Sequence, residues 1–168
     1  KSAAKYINSN ESDIYHKQDS IFGIDTAIRQ AAKDDKFYLV EGAPDAMQLK
    51  RIRVNNAVAP LGGAWTESQM EQFKKYATKV CFLPDADPPN FEKGEKLGAG
   101  IRNTMRNGLL AMKSGLGVSV KELPLGEAQS KNDPDTYCTS IQKFQELKEV
   151  DFIPWYAQHI FQDVNTTE

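Results

Sequence analysis

The chain has 168 residues, of which 40% are hydrophobic and 26% are charged, as is usual for one globular domain with tails. Its 23 acidic and 21 basic residues give a formal net charge of −2, which excludes an overall electrostatic attraction to nucleic acids or membranes. No run of about 18 apolar residues occurs, so the sequence predicts no transmembrane helix, and we expect no secretion signal.

The cysteines indicate a reducing compartment. Cys81 and Cys138 are far apart and form no C-x-x-C motif, which excludes a zinc-ligand spacing and a disulfide framework. Cys81 lies in "KVCFL", where we expect a buried thiol that packs as a small hydrophobic group. Two cysteines without a disulfide framework favour a location in the reducing cytoplasm. Because the chain begins with Lys1 rather than Met, we expect it to be a fragment of a longer protein.

The first part of the chain alternates between helical and strand patterns. Residues 1–20 are polar and weakly periodic, which predicts a loop or an extended arm. Apolar residues at helical spacing predict a helix over residues 24–34, and "KFYLV" after it predicts a short buried strand. A second helix is predicted to have Pro44 in its first turn. The segment "NAVAPLGG" then predicts a second strand and a glycine turn.

The alternation continues to residue 124. The segment "TESQ" at Thr66–Gln69 has the capping-box pattern that begins a helix, and "KVCFLP" predicts a third strand. Residues 88–96 are polar with two prolines, which predicts an insertion loop. A long helix over residues 101–112 leads to a fourth strand, "GVSVKELP". Two helical stretches follow, near residues 140–149 and 152–162.

Strands that alternate with helices are typical of the α/β class. The pattern predicts a roughly four-stranded, mostly parallel sheet with helices on both faces, an N-terminal arm and C-terminal helices. In such sheets, binding sites form outside the carboxyl ends of the strands.

Six acidic residues fall at or soon after the ends of predicted strands. Each D-x-D pair can direct two carboxylates to one side, because side chains alternate along an extended backbone. Two like charges 4 Å apart repel by roughly 4 kcal/mol at an effective dielectric of 20, and a divalent cation such as Mg²⁺ would offset this repulsion. Taken singly, each motif is also compatible with a turn or, for Asp45, with the helix dipole. The six residues are Glu41, Asp45, Asp85, Asp87, Asp133 and Asp135.

Three of these segments, "EGAPDA", "LPDAD" and "KNDPDTY", resemble the acidic motifs of the Toprim domain. The closest pattern is that of bacterial replicative DNA primases. The lead "KYINSNESDIYHK" resembles the segment before Toprim in those enzymes, and "FGIDTAI" and "NAVAPLGGAWTESQM" follow in the same order. The resemblance covers about residues 5–138. It implies an N-terminal arm over 1–23, a Toprim domain over 24–138 and a C-terminal helical segment over 139–168.

The resemblance implies synthesis of short RNA primers on single-stranded DNA from ribonucleoside triphosphates. Glu41 would be a catalytic carboxylate, either a metal ligand or a proton acceptor, and Asp85 and Asp87 would bind the main Mg²⁺ (or Mn²⁺). Two metals would stabilise the attacking and leaving oxygens. A replicative helicase is a further candidate partner, and no membrane is implied. The remaining carboxylates, Asp45, Asp133 and Asp135, would complete the cluster, and Lys5 and Lys17 would contact phosphates or template.

The sequence also departs from the family pattern. The family usually continues its D-x-D motif with a short Arg-Ala-Gly segment, whereas "PPNFEKGEKLGAG" stands here. Lys93, Lys96 or Arg102 is expected to replace the phosphate contact of that arginine. A zinc-binding domain and the basic lobe that precedes "KYINS" in the family are missing from this sequence, so we expect that the fragment alone cannot prime. The divergence favours a phage or mobile-element primase.

Two other functions stay open. A metal-dependent nuclease or a topoisomerase-type module uses the same Toprim chemistry, and a non-catalytic module would bind DNA or a helicase and keep the acids for structure. The "KYxNSxE" segment favours a primase over the nuclease or topoisomerase-type module. Gly98 and Gly100 also have two explanations, a phosphate loop or an ordinary helix N-terminus, and the second is the more common for an isolated G-x-G.

Overall fold

The structure, a computed structural model, describes residues 12, 16 and 18–164, with side chains up to residue 161. In this part of the chain, six strands form one sheet in the order β1-β3-β2-β4-β5-β6. The four inner strands are parallel to one another, and the two edge strands run antiparallel to their neighbours. The strands are β1 (Ile21–Phe22), β2 (Phe37–Leu39), β3 (Ala57–Pro60), β4 (Lys79–Phe82), β5 (Gly117–Lys121) and β6 (Glu149–Asp151).

Helices connect the parallel strands, because two parallel strands need a crossover connection that runs from the end of one to the start of the other. None of the helices in residues 18–164 combines the length and the apolar character that crossing a membrane requires. Short 3₁₀ helices lie at Phe91–Lys93 and Glu127–Gln129. The α-helices are α1 (Ile24–Asp34), α2 (Ala43–Arg51), α3 (Glu67–Phe73), α4 (Ala99–Lys113), α5 (Pro134–Tyr137), α6 (Ile141–Glu146) and α7 (Phe152–Val164).

The predicted α/β class and the four parallel strands are confirmed. The predicted capping box is also present: Thr66 Oγ1 accepts the Gln69 N–H at 3.3 Å, and Gln69 Oε1 accepts the Thr66 N–H at 3.0 Å. The prediction did not include the edge strands β1 and β6, which have only two and three residues. The sequence predicts a helix near residues 140–149, but this prediction is too long at its C-terminal end. In the structure, α6 ends at Glu146 and β6 begins at Glu149.

The core lies on both faces of the sheet because side chains alternate along each strand. Phe37 and Leu39 of β2 face a cluster that also contains Phe73 of α3. Tyr38 packs against the cluster on the opposite face, where Leu49 of α2 is fully buried. Both cysteines are buried free thiols, so the predicted packing of Cys81 is confirmed.

Close packing between α4 and α7 gives a prediction about stability. A Cβ at Gly108 would lie 2.1 Å from Cε2 of Phe152, a side chain that is 1% exposed. We expect Gly108→Ala to lower the free energy of unfolding by about 2–3 kcal/mol, because overpacking forces a core side chain or a helix to move. Urea unfolding measures this. Leu109→Ala, at a neighbouring site that is 46% exposed, should cost about 0.5 kcal/mol or less. Equal losses for the two variants would contradict the packing argument.

Candidate active site

Four chain segments bring acidic residues to one edge of the sheet. Strands β2 and β4 are parallel neighbours, with Leu39 paired to Phe82, so the segments that leave them emerge side by side. The loop after β5 and the first turn of α5 complete the edge. A cavity of about 280 Å³, the acidic pocket, lies between them. It is lined by Glu41, Gly42, Pro44, Asp45, Asp85, Lys131, Asp133 and Asp135.

Glu41 and Asp85 are directly connected. The Leu83 N–H donates to Leu39 O at 2.9 Å, which continues the β2–β4 pairing beyond the strands. Two residues farther on, the Asp85 N–H donates to Glu41 Oε1 at 3.4 Å. The predicted convergence of the first two acidic motifs is therefore present in the structure.

Asp45 is buried and bonded to backbone through both carboxylate oxygens. Its Oδ2 accepts the Gly42 N–H at 3.0 Å, and its Oδ1 accepts the Asp135 N–H at 3.1 Å. Asp133 caps α5 by accepting the Thr136 N–H at 2.8 Å. Both residues thus stabilise helix N-termini, a role that carboxylates fill well, and Asp45 also joins α2 to α5.

An antiparallel bridge fixes the position of Asp85 and Asp87, the D-x-D pair that follows β4. Ala86 and Asn132 exchange two backbone hydrogen bonds of 2.8 and 3.0 Å. Because side chains alternate along extended backbone, the residues on either side of this bridge share one face. Those residues are Asp85 and Asp87 on one segment and Lys131 and Asp133 on the other.

Lys131 is a site residue that the sequence argument missed. Its Nζ lies 2.6 Å from Asp85 Oδ2 and 3.1 Å from Asp87 Oδ1. Burial acts against its charge, but hydrogen bonds to the two carboxylates raise its pKa above the usual value, so it is cationic at neutral pH. The available signal was its position two residues before Asp133 in "KNDPD", on the same side of an extended segment.

The two glycines before α4 allow close contact with the D-x-D pair. The Gly100 N–H donates to Asp87 Oδ2 at 3.2 Å. A Cβ at Gly98 would lie 1.8 Å from Asp87 O, and one at Gly100 would lie 2.1 Å from Asp85 O. Gly98 is the residue before α4, so the G-x-G motif lies at a helix N-terminus. Both glycines are also needed because the start of this helix packs directly against the segment that carries Asp85 and Asp87.

Three carboxyl groups of the pocket, those of Glu41, Asp45 and Asp85, have raised pKa values. Burial of its carboxyl group, helped by the negative charge of Asp85, raises the pKa of Glu41 to about 7, although the residue as a whole is exposed. The same two causes raise the pKa of Asp45 to about 6. Burial also raises the pKa of Asp85, against the opposing effect of Lys131. Burial therefore disfavours the charged forms of Glu41, Asp45 and Asp85.

These shifts predict an unusual pH dependence of stability. A carboxyl with a raised pKa holds its proton more tightly when folded, so its contribution is complete below the unfolded pKa and is lost as pH rises through the folded pKa. For Glu41 that interval runs from 4.5 to about 7. We expect the free energy of unfolding, measured in a chelator, to fall across this interval.

Glu41→Gln should flatten this decline, whereas Glu71→Gln, at an exposed i,i+3 salt bridge with Lys74, should leave it unchanged. Urea unfolding over the pH series measures both. Burial acts to raise the pKa of Glu149, but its hydrogen bonds with Lys36 and Ser119 outweigh this effect and lower the pKa. The stabilisation from such a carboxyl is lost as pH falls below its unfolded pKa, which is below the interval considered for Glu41. A rise in stability from pH 4.5 to 7 would contradict the raised pKa of Glu41.

The basic candidates lie in different places. Lys5 and Lys17 fall outside the described residues. Lys96 lines a second cavity of about 200 Å³ together with Asp85, Asp87 and Gly98. Arg102 donates to Leu97 O at 2.6 Å and pairs with Glu95 at 3.1 Å, and Lys93 is exposed in the first 3₁₀ helix. Of the three described candidates, Lys96 is the one that the structure places beside the D-x-D pair.

The chemistry of the pocket suits a cation. Within residues 18–164, no three His, Cys, Asp or Glu side chains are already arranged to hold one metal ion. However, Asp85 Oδ1 is buried, and no described group donates a hydrogen bond to it, which is costly for a carboxylate oxygen. Carboxylate oxygens are the ligands that Mg²⁺ prefers, so the residues fit a divalent ion.

Comparisons with known proteins identify a family and several relatives. A family described as Toprim-like matches residues 38–138. A DNA primase of Clostridium acetobutylicum is 31% identical over 168 residues, which cover 98% of this chain and 26% of the relative. The chain thus spans about a quarter of that relative's length.

Two solved structures have the same fold. The Aquifex aeolicus primase (zinc-binding and RNA polymerase domains) is 28% identical with a TM-score of 0.72, over 88% of this chain and 34% of that chain. The E. coli primase catalytic core is 26% identical with a TM-score of 0.68, over 86% of this chain and 43% of that chain. The predicted resemblance to the Toprim domain of bacterial-type DNA primases is confirmed. The chain belongs to the Toprim-like family.

Proposed function

We propose that this chain is the catalytic Toprim part of a DNA primase, which synthesises short RNA primers on single-stranded DNA from ribonucleoside triphosphates. The observation that carries the proposal is the convergence of Glu41 with the Asp85–Asp87 pair at the carboxyl edge of two parallel strands. The primase names of the relatives support the same reaction.

In this proposal Asp85 and Asp87 hold the principal Mg²⁺ or Mn²⁺, and Glu41 lies beside them. When bound, the divalent cation stabilises negative charge on the attacking and leaving oxygens of the nucleotidyl transfer. Glu41, whose side chain accepts the Asp85 N–H, would act either as a further metal ligand or as the acceptor of the proton of the primer 3′-hydroxyl. Asp45, Asp133 and Asp135 complete the cluster, and the first two also hold the helix N-termini that shape it.

The basic residues and partners complete the proposal. Lys96 is the best-placed phosphate contact because it lines a cavity shared with Asp85 and Asp87. Lys5, Lys17, Lys93 and Arg102 are proposed as further nucleotide or DNA contacts, and a replicative helicase as a partner. We also propose a cytoplasmic location and the domain boundaries given above, 1–23, 24–138 and 139–168.

Primer synthesis tests this function against its alternatives. The longer native polypeptide should be assayed with labelled ribonucleotides, Mg²⁺ and single-stranded DNA, and we expect short RNA products. Nicking of the DNA without incorporation of nucleotides would favour the nuclease or topoisomerase-type function. Binding of DNA with neither reaction would favour the non-catalytic module.

A further inference from the structure

Lys131 occupies a position that its own loop imposes. The Gly126 N–H donates to Ser130 O at 2.8 Å, and Asn132 Nδ2 donates to Pro124 O at 3.1 Å. Between these bonds, Ala128 and Gln129 both have left-handed backbone, with φ values of 53° and 60°, which is unfavourable for residues with a Cβ. The loop is therefore built to a specific shape.

The end of this loop pairs with the segment that carries Asp85 and Asp87. The bridge between Ala86 and Asn132 places the neighbouring Lys131 opposite Asp87, so that its ammonium contacts both carboxylates. A lysine anchored through its backbone in this way places one positive charge against two carboxylates that lie close to each other. The ammonium therefore serves as the counter-charge of this pair.

The two aspartates and the lysine in this contact differ in side-chain exposure. The Asp85 and Asp87 side chains are 11% and 19% exposed, whereas that of Lys131 is 52% exposed. Asp87 is also held by the Gly100 N–H. A flexible lysine can turn into solvent without movement of either aspartate. An ion with two charges would attract the pair more strongly than an ammonium does.

We propose that Lys131 is a built-in counter-ion that keeps the Asp85–Asp87 pair assembled and that a divalent cation must displace it in order to bind. This inference rests on the proposed function, since it presumes that these aspartates bind the metal. Lys131 is thus a positioning residue whose ammonium competes with the metal, and the competition lowers metal affinity in exchange for a preformed site.

Metal binding by charge-deletion variants tests the competition directly. Free Mn²⁺ measured by electron paramagnetic resonance gives the affinity of the 168-residue chain. We expect Lys131→Met to bind Mn²⁺ about tenfold more tightly than the native chain, because a competing positive charge is removed. Lys131→Arg should behave like the native chain. Lys75→Met, which removes an exposed lysine after α3, controls for net charge and should also leave the affinity unchanged.

Stability provides a readout that does not depend on activity. With chelator present, Lys131→Met should unfold at a lower temperature than the native chain, because the two aspartates then repel without compensation. Added Mn²⁺ should raise its unfolding temperature by more than it raises that of the native chain. An equal rise in both proteins would overturn the proposal.

A measurement on the native chain covers the case in which Lys131→Met fails to fold. The side-chain ¹⁵Nζ signal of Lys131 should shift when Mg²⁺ is added, and its ammonium protons should exchange faster with water once the contact to the aspartates is lost. An unchanged Lys131 signal while Mg²⁺ binds would overturn the displacement.

The outcomes separate this inference from the function on which it rests. If the native chain binds Mn²⁺ and Lys131→Met binds it equally or more weakly, the counter-ion role fails and the metal site survives. If neither protein binds Mn²⁺, the inference and the proposed metal chemistry fail together.

Discussion

Replacing Asp85 and Asp87 together by Asn in the full-length protein should reduce primer synthesis by about a thousandfold or more. The two carboxylates share one face of the segment after β4, bridge to Lys131 and lie beside Glu41. Asn keeps the shape and one oxygen of each side chain but removes the negative charge that a divalent cation requires. The measurement is incorporation of labelled ribonucleotides on single-stranded DNA.

The fold should survive this double substitution, which distinguishes loss of chemistry from loss of structure. Removal of two like charges from a half-buried cluster relieves repulsion, so the unfolding temperature in chelator should stay within a few degrees of the native value. Asp151→Asn is the matched control, because this exposed residue lies on the edge strand β6 and should leave primer synthesis unchanged. Primer synthesis within tenfold of native by the double variant would contradict the assignment of these aspartates.

The second large effect is expected at Gly100. A Cβ there would lie 2.1 Å from Asp85 O and 3.1 Å from Glu41 Oε1. Gly100→Ala must therefore move the start of α4 or the Asp85 segment, and we expect a loss of about 3 kcal/mol in the free energy of unfolding. Primer synthesis should fall by about a hundredfold, because small displacements of catalytic groups are costly.

A second glycine provides a control with the same chemical change. A Cβ at Gly63 would meet no atom within 4 Å, so Gly63→Ala should be neutral or stabilising by up to about 1 kcal/mol. Urea unfolding and the primer assay measure both variants. If Gly100→Ala were as stable and active as Gly63→Ala, the close contact between α4 and the acidic segment would not be needed for function.

The inner sheet could be predicted because its strands are buried. Segments such as "KFYLV" and "KVCFLP" are continuous apolar runs, as strands covered on both faces require. The edge strands lack this signal: β6 is "EVD" and is exposed or half-buried throughout. Its place beside β5 depends on Ser119–Asp151 and similar pairings, which are long-range and leave no local pattern.

The acidic site was predictable for a related reason. Carboxyl ends of parallel strands meet at one edge, so Glu41 and Asp85 could be placed together from the order of elements. The spacing of Lys131 and Asp133 could place their side chains on one side of an extended segment. The contact of Lys131 with Asp85 and Asp87 could not be predicted, because it depends on the left-handed residues Ala128 and Gln129 and on the bridge to Ala86. The role of Gly100 was equally hidden, since spacing along a chain does not reveal how closely a helix approaches another segment.

The central claim is that Asp85 and Asp87, beside Glu41, form a divalent-cation site. Its most direct test is a crystal soaked in Mn²⁺ and measured for anomalous scattering. We predict a peak at roughly 2 Å from carboxylate oxygens of Asp85 and Asp87, on the side facing Glu41, with the Lys131 ammonium moved away from both. A crystal in which Mn²⁺ binds elsewhere, while Lys131 still bridges the two aspartates, would contradict it.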